Sequence, residues 1–260
     1  MKKYRIFLVF VIIVAGTFYV SSKLSPILFG DEQPSIYGET EISAYLTGQF
    51  APASHPLFIA LDKAAIPTDG RKHYLRTETA DALKKMFEDF SKEHPQIKIY
   101  VRSSTRNYND QANIWNNKWK LHNSIKDERQ RALKILQYSS MPGTSRHHWG
   151  TDFDINELNN EYYLKGNGKI IYSWLKENAA KYGFYQPYTA DRKAGYNEEK
   201  WHWSYKPLSA QFVKDWNENF SGDSAINLLS VMKSRGGFHG IAISWDMAEL
   251  YVNSINPDCL

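Results

Sequence analysis

Histidines and carboxylates cluster in the stretch Ser145-Arg146-His147-His148-Trp149-Gly150-Thr151-Asp152-Phe153-Asp154-Ile155-Asn156. From Thr151 the pattern alternates. Thr151, Phe153 and Ile155 face one way, and Asp152, Asp154 and Asn156 face the other. This predicts a strand with one apolar and one acidic face. His147 stands just upstream, across a glycine that permits a tight bend. Imidazole and carboxylate brought together this way suit a divalent metal such as zinc. The same residues would also make a polar strand edge with solvated aspartates, and this stretch alone leaves the two readings evenly matched.

A second stretch, Glu199-Lys200-Trp201-His202-Trp203-Ser204-Tyr205, shifts the balance. Trp201, Trp203 and Tyr205 make one face, and His202 and Ser204 make the other. His202 is then a third ligand from a neighbouring strand. Three protein ligands and one open position are the pattern of a catalytic zinc site. Glu199 is placed to act as a general base. In an ideal strand Glu198 has the better parity with His202, so Glu199 requires a turn before the strand begins.

At this point the chain resembles the zinc D-alanyl-D-alanine carboxypeptidases of the VanY type, within the Hedgehog/DD-peptidase fold. His147 through Gly150 to Asp154, with Ser145, is one matched piece, and Glu199-Lys200-Trp201-His202 is another. Arg106 with Gln111 resembles the family's Arg-Ser-x-x-x-Gln segment, and Pro142-Gly143-Thr144-Ser145 leads into the first histidine. Two positions depart from the pattern: Asn107 stands in place of serine, and Asp152 in place of a small residue. Asp152 shares a face with Asp154, where it would compete as a ligand or support one. The resemblance implies a Zn²⁺ held by His147, Asp154 and His202, with Glu199 as catalytic base. It also implies substrate binding through Arg106, Gln111 and Ser145, and a peptidoglycan peptide as substrate. D,D- and L,D-specificity, an endopeptidase and a non-catalytic wall-peptide-binding module on the same fold stay open.

The elements that position these residues are legible in outline. A helix starts at Thr77, its expected N-cap, with Ala80, Leu83, Met86, Phe87 and Phe90 inward. Ile97, Ile99 and Val101 alternate as a strand leading to Arg106. A helix from near Asn109 carries Gln111, Ala112, Trp115 and Trp119, and another spans 127–138. Further helices are predicted over 171–182, stopped by Gly183, over 208–220, and over 245–255. Helices and strands do not alternate as in a doubly wound sheet, so the fold class is α+β, a small antiparallel sheet with flanking helices and the metal site on the sheet. Trp149, Trp201 and Trp203 read as core, with Trp149 alone given a second option lining the cleft. His148 reads as a supporting or surface residue, and His239 as structural.

The chain divides into an export segment or membrane anchor over 1–23, a linker and arm over 24–75, a zinc peptidase domain over 76–220, and a tail with a helix over 221–260. Lys2, Lys3 and Arg5 precede an uncharged apolar run to Val20, the pattern of an exported protein. The expected location is therefore periplasmic or cell-surface, with cleavage and retention of the segment equally weighted. The net charge of +4 arises here: with Lys2, Lys3, Arg5 and Lys23 set aside, 28 basic residues face 28 acidic ones. That balance argues against a nucleic-acid partner. The single cysteine, Cys259, excludes an internal disulfide.

Overall fold

Strand pairing around the acidic stretch builds the centre of the molecule. The structure is a computed structural model that describes residues 35–222, 230, 232, 235–240 and 245–260. The expected export segment lies outside the described residues. Among those described, no helix is long and apolar enough to cross a membrane.

Four short strands, β3 (Val101–Ser103), β4 (Asp152–Ile155), β5 (Phe184–Tyr185) and β6 (His202–Tyr205), form an antiparallel sheet in the order β3-β4-β6-β5. Phe58–Ala60 (β1) and Tyr74–Arg76 (β2) pair separately. The helices are α1 (Ile42–Leu46), α2 (Thr77–Glu93), α3 (Tyr108–Leu121), α4 (Glu128–Ile135), α5 (Gly166–Asn178), α6 (Lys206–Phe220) and α7 (Trp245–Asn253). The architecture is α+β, as the order of elements predicts.

The apolar face of the sheet, with Val101, Phe153, Ile155 and Trp203, packs on residues of α2 and α5 in one core cluster. A second cluster joins α3, α4, α6 and α7 with Tyr45 and Trp149. Between helical and strand segments, Gly150 makes the bend from a 3₁₀ turn (Arg146–Trp149) into β4. Its φ is +74°, and a Cβ there would stand 2.4 Å from the Phe58 ring, so the position requires glycine on both counts.

Local readings shift; the helix expected over 171–182 runs Gly166–Asn178, with a 3₁₀ turn (Ala179–Tyr182) after it. The N-cap of α2 is Arg76, not Thr77. Thr77 is one residue inside, because its hydroxyl donates to the Leu57 carbonyl at 3.4 Å and its backbone is tied there too. Ile97 and Ile99 are buried but lie outside β3. Asn156, at φ +46°, ends β4 there, and its amide donates to the Lys98 carbonyl at 2.9 Å in place of a strand partner. Asn107, where the resembled pattern has serine, caps α3 and forms a capping box with Asp110. Serine and asparagine are interchangeable in that job.

Candidate active site

Cross-strand register brings the site together. Asp154 lies directly opposite His202, and Asp152 opposite Ser204. Paired positions on one face of an antiparallel ladder are nearest neighbours. The 3₁₀ turn then carries His147 over the same face.

His147 Nε2 lies 3.4 Å from Asp154 Oδ1, and His202 Nδ1 lies 3.1 Å from the same oxygen. One ligand atom from each of the three residues falls within 4.8 Å of the others, and all three residues are buried. A tetrahedral zinc with bonds near 2.0–2.1 Å places its ligand atoms about 3.3 Å apart, so the spacing fits. The donor chemistry fits as well. Asp154 Oδ1 is buried and has no hydrogen-bond partner among the described residues, an arrangement that native interiors avoid unless something else fills the need.

The outer nitrogens of both rings are fixed. His147 Nδ1 donates to the Ser104 carbonyl at 2.8 Å, which turns Nε2 inward. His202 Nε2 donates to Asp152 Oδ2 at 2.9 Å, which turns Nδ1 inward. Asp152 is therefore not a competing ligand. It lies behind His202, fully buried, and also accepts from Arg146 Nε at 2.9 Å and Ser204 Oγ at 2.8 Å. Arg146 is the countercharge that sequence reasoning missed. It lies six residues from Asp152, and no local pattern links the two.

Electrostatics follow from this packing. Burial opposes charge on His202, yet the carboxylates of Asp152, Asp154 and Glu199 hold its pKa well above the usual range. Burial and then the Arg106 guanidinium push His147 down to about 4. Burial raises Asp154, but His147 and His202 outweigh it and keep the carboxylate ionised. Burial pushes the Glu199 carboxyl up from its ordinary value.

Glu199 lies before β6 begins, outside the pleat of that strand. Its Oε2 is 3.5 Å from His202 Nδ1, and it lines the same cavity as the three ligand candidates. Glu198 points elsewhere and pairs with Lys200.

A cavity of about 750 Å³ opens over these groups. Arg106 and Gln111 line it. Arg106 Nη1 donates to Ser103 Oγ at 2.9 Å and lies 3.8 Å from Asp154 Oδ2, while its Nε has no partner. Gln111 donates to the Ser140 carbonyl at 2.7 Å and leaves Oε1 unpartnered. Ser145 does not join them: it is buried, and its carbonyl accepts from the His148 amide.

His148 is neither exposed nor directed at the cavity. Its Nδ1 donates to the Arg106 carbonyl at 2.7 Å and its Nε2 accepts from the Gly143 amide at 3.0 Å, so it ties the Arg106 loop to the loop before His147. Trp149, Trp201 and Trp203 are all core, as read; Trp149 does not line the cavity, its indole donating to the Leu46 carbonyl at 3.1 Å, whereas Trp201 also lines it. Tyr188 and Tyr196 complete a wall, and the Tyr188 ring lies 4.7 Å from that of His202. Both come from a loop without periodicity, which gave no signal in the sequence. Arg192 shapes that loop, donating to the carbonyls of Thr189, Ala194, Tyr196, Asn197 and Ser254.

Comparison with known proteins decides the family. The model of the VanY family, D-alanyl-D-alanine carboxypeptidase, matches residues 72–208. The chain belongs to the VanY family. YodJ of Bacillus subtilis (strain 168), named a carboxypeptidase provisionally, is 35% identical over 156 residues, 57% of this chain and 52% of that protein. A D-alanyl-D-alanine carboxypeptidase of Enterococcus faecalis (strain ATCC 700802 / V583) is 34% identical over 100 residues, 33% of this chain and 36% of that protein. The chain thus spans about half the length of the first curated relative and about a third of the second. Among solved structures, the LdcB LD-carboxypeptidase is 28% identical with a TM-score of 0.47, covering 65% of this chain and 75% of that one.

Proposed function

We propose that this chain is a zinc carboxypeptidase that removes a terminal D-alanine from peptidoglycan stem peptides outside the cytoplasm. The observation that carries the reading is convergence: His147, Asp154, His202, Glu199 and Arg106 line one cavity. The VanY family is named for the same reaction.

His147 Nε2, Asp154 Oδ1 and His202 Nδ1 are the atoms that would hold the metal. When bound, zinc supplies a Lewis acid that polarises a carbonyl and acidifies water. Glu199 accepts the proton of the attacking water and passes it to the leaving amine. Arg106 pairs with the terminal carboxylate of the peptide through its planar fork. Gln111 Oε1 accepts an N–H of the substrate. Ser145 acts through the His148 turn and not by direct contact. The peptide substrate agrees with the export pattern of the first 23 residues.

Arg106 provides the test. A peptide with a free terminus should be cut, and its C-terminal amide should be a poor substrate. Arg106→Lys should cost about 1.5–3 kcal/mol in kcat/KM on the free peptide and add little on the amide. Equal cleavage of both peptides, at an internal bond, would contradict the carboxypeptidase reading.

A further inference from the structure

The inference drawn here deepens the peptidase reading and rests on it. Helix α3 presents two faces. Ala112, Trp115 and Trp119 enter the core, and Gln111, Ile114 and Lys118 line the cavity. Their spacing of three and four residues makes one stripe. Lysine on a helix usually carries its ammonium out to water. Lys118 is instead half-buried and turns into the cavity wall, where its Nζ donates to the neutral hydroxyl of Ser139 at 2.6 Å.

Among the described residues, no carboxylate lies within ion-pair distance of Lys118, although shorter-range pairs occur elsewhere in the chain. The acidic residues of the cavity are otherwise committed or open to water: Asp154 and Glu199 face the histidines, and Glu161 is exposed. A partly desolvated cation with no carboxylate in contact, and only the longer-range charge of Glu199 to favour it, is costly, and a ligand anion would lower that cost. Burial indeed lowers the Lys118 pKa.

We propose that Lys118 is a specificity residue that pairs with a second carboxylate of the peptide substrate. Seven residues of helix separate it from Gln111, or about 10 Å along the axis. An extended peptide covers that distance in about three residues. The carboxylate it reads is therefore about three residues along the chain from the group held beside Gln111 and Arg106, and distinct from the terminal carboxylate.

The test uses synthetic peptides ending in D-Ala-D-Ala. Each carries an acidic residue at one of the positions upstream of the scissile bond, as the free acid or as the carboxamide. The wild-type protein should prefer the acid at one position by about 10-fold in kcat/KM, through KM, the lower end for a charged hydrogen bond. Lys118→Met should bring that ratio close to one, Lys118→Arg should keep it, and Lys118→Glu should invert it. The ratio is taken within each variant, so partial loss of folded protein cancels. Equal rates for acid and amide at every position in the wild type would overturn the proposal, as would an unchanged ratio in Lys118→Met. If the wild type cuts none of these peptides, the peptidase reading fails and this inference falls with it; cutting without preference removes the Lys118 role alone.

Discussion

His202 is held from both sides: Nε2 donates to Asp152 Oδ2 at 2.9 Å, and Nδ1 stands 3.1 Å from Asp154 Oδ1. The first contact selects the tautomer, and the second sets His202 beside Asp154, the other proposed ligand. Asp152→Asn should therefore weaken zinc by about 10–100-fold in a chelator competition, without abolishing it. Asp154→Ala should lose the metal entirely. Full zinc in Asp154→Ala together with none in Asp152→Asn would reverse the assignment.

Arg146 balances Asp152 in the interior, with both side chains almost wholly buried. Asp152→Ala should destabilise the fold by about 3–5 kcal/mol, because an uncompensated guanidinium remains. Arg146→Met combined with Asp152→Ala should recover much of this in urea unfolding. A double variant no more stable than Asp152→Ala would mean that the charge pair is not the cause.

Glu199 and Glu198 separate cleanly in space. Glu199→Gln should bind zinc normally and lower kcat by roughly 10²–10⁴. Glu198→Gln should stay near wild type, since Glu198 pairs with Lys200. Near-normal turnover in Glu199→Gln would assign the base elsewhere.

Arg192 reaches from the 189–197 loop to the Ser254 carbonyl at 2.6 Å and stacks over the Tyr188 ring, 5.3 Å from its centroid. It positions the tyrosine wall without touching the reacting atoms. Arg192→Ala should raise KM by about 10-fold with a smaller change in kcat, reading each lost charged hydrogen bond conservatively. Arg192→Lys should recover part of the loss. A kcat effect with KM unchanged would argue against a positioning role.

Burial pushes the Cys259 thiol up to about 12, against about 8.5 in the unfolded chain. The folded state then holds a proton that the unfolded state releases between those values. This contribution to stability is complete below the unfolded pKa and falls as pH rises toward 12, on the order of 1.4 kcal/mol per pH unit. Cys259→Ala should flatten the stability profile above pH 9 relative to wild type. Parallel profiles would show that the thiol is not the group concerned.

Much of this was legible in the sequence, for reasons that can be located. The alternation of Phe153 and Ile155 with Asp152 and Asp154 gave both the strand and the face, because period two is a strong local signal. His202 followed from the same alternation in its own strand. What failed depended on tertiary partners. The cap of α2 moved because Thr77 bonds to Leu57, 20 residues away. Trp149 and Trp201 look alike in sequence, and only packing decides which one meets the cavity. Asp152 gained its meaning from Arg146 and Ser204, and Lys118 from a helix face whose inner side is set by Trp115 and Trp119. Ser145 matched a pattern, yet it is buried outside the cavity lining, and its hydroxyl has no partner among the described residues.

The proposed reaction is metal-dependent removal of one terminal residue. Purified protein, incubated with defined peptidoglycan stem peptides ending in D-Ala-D-Ala, should yield by mass spectrometry the peptide shortened by a single alanine. A chelator should stop this, zinc should restore it, and the His147→Ala protein should never show it. Cleavage that survives complete removal of metal, or products cut only at internal bonds, would rule out a metal-dependent carboxypeptidase.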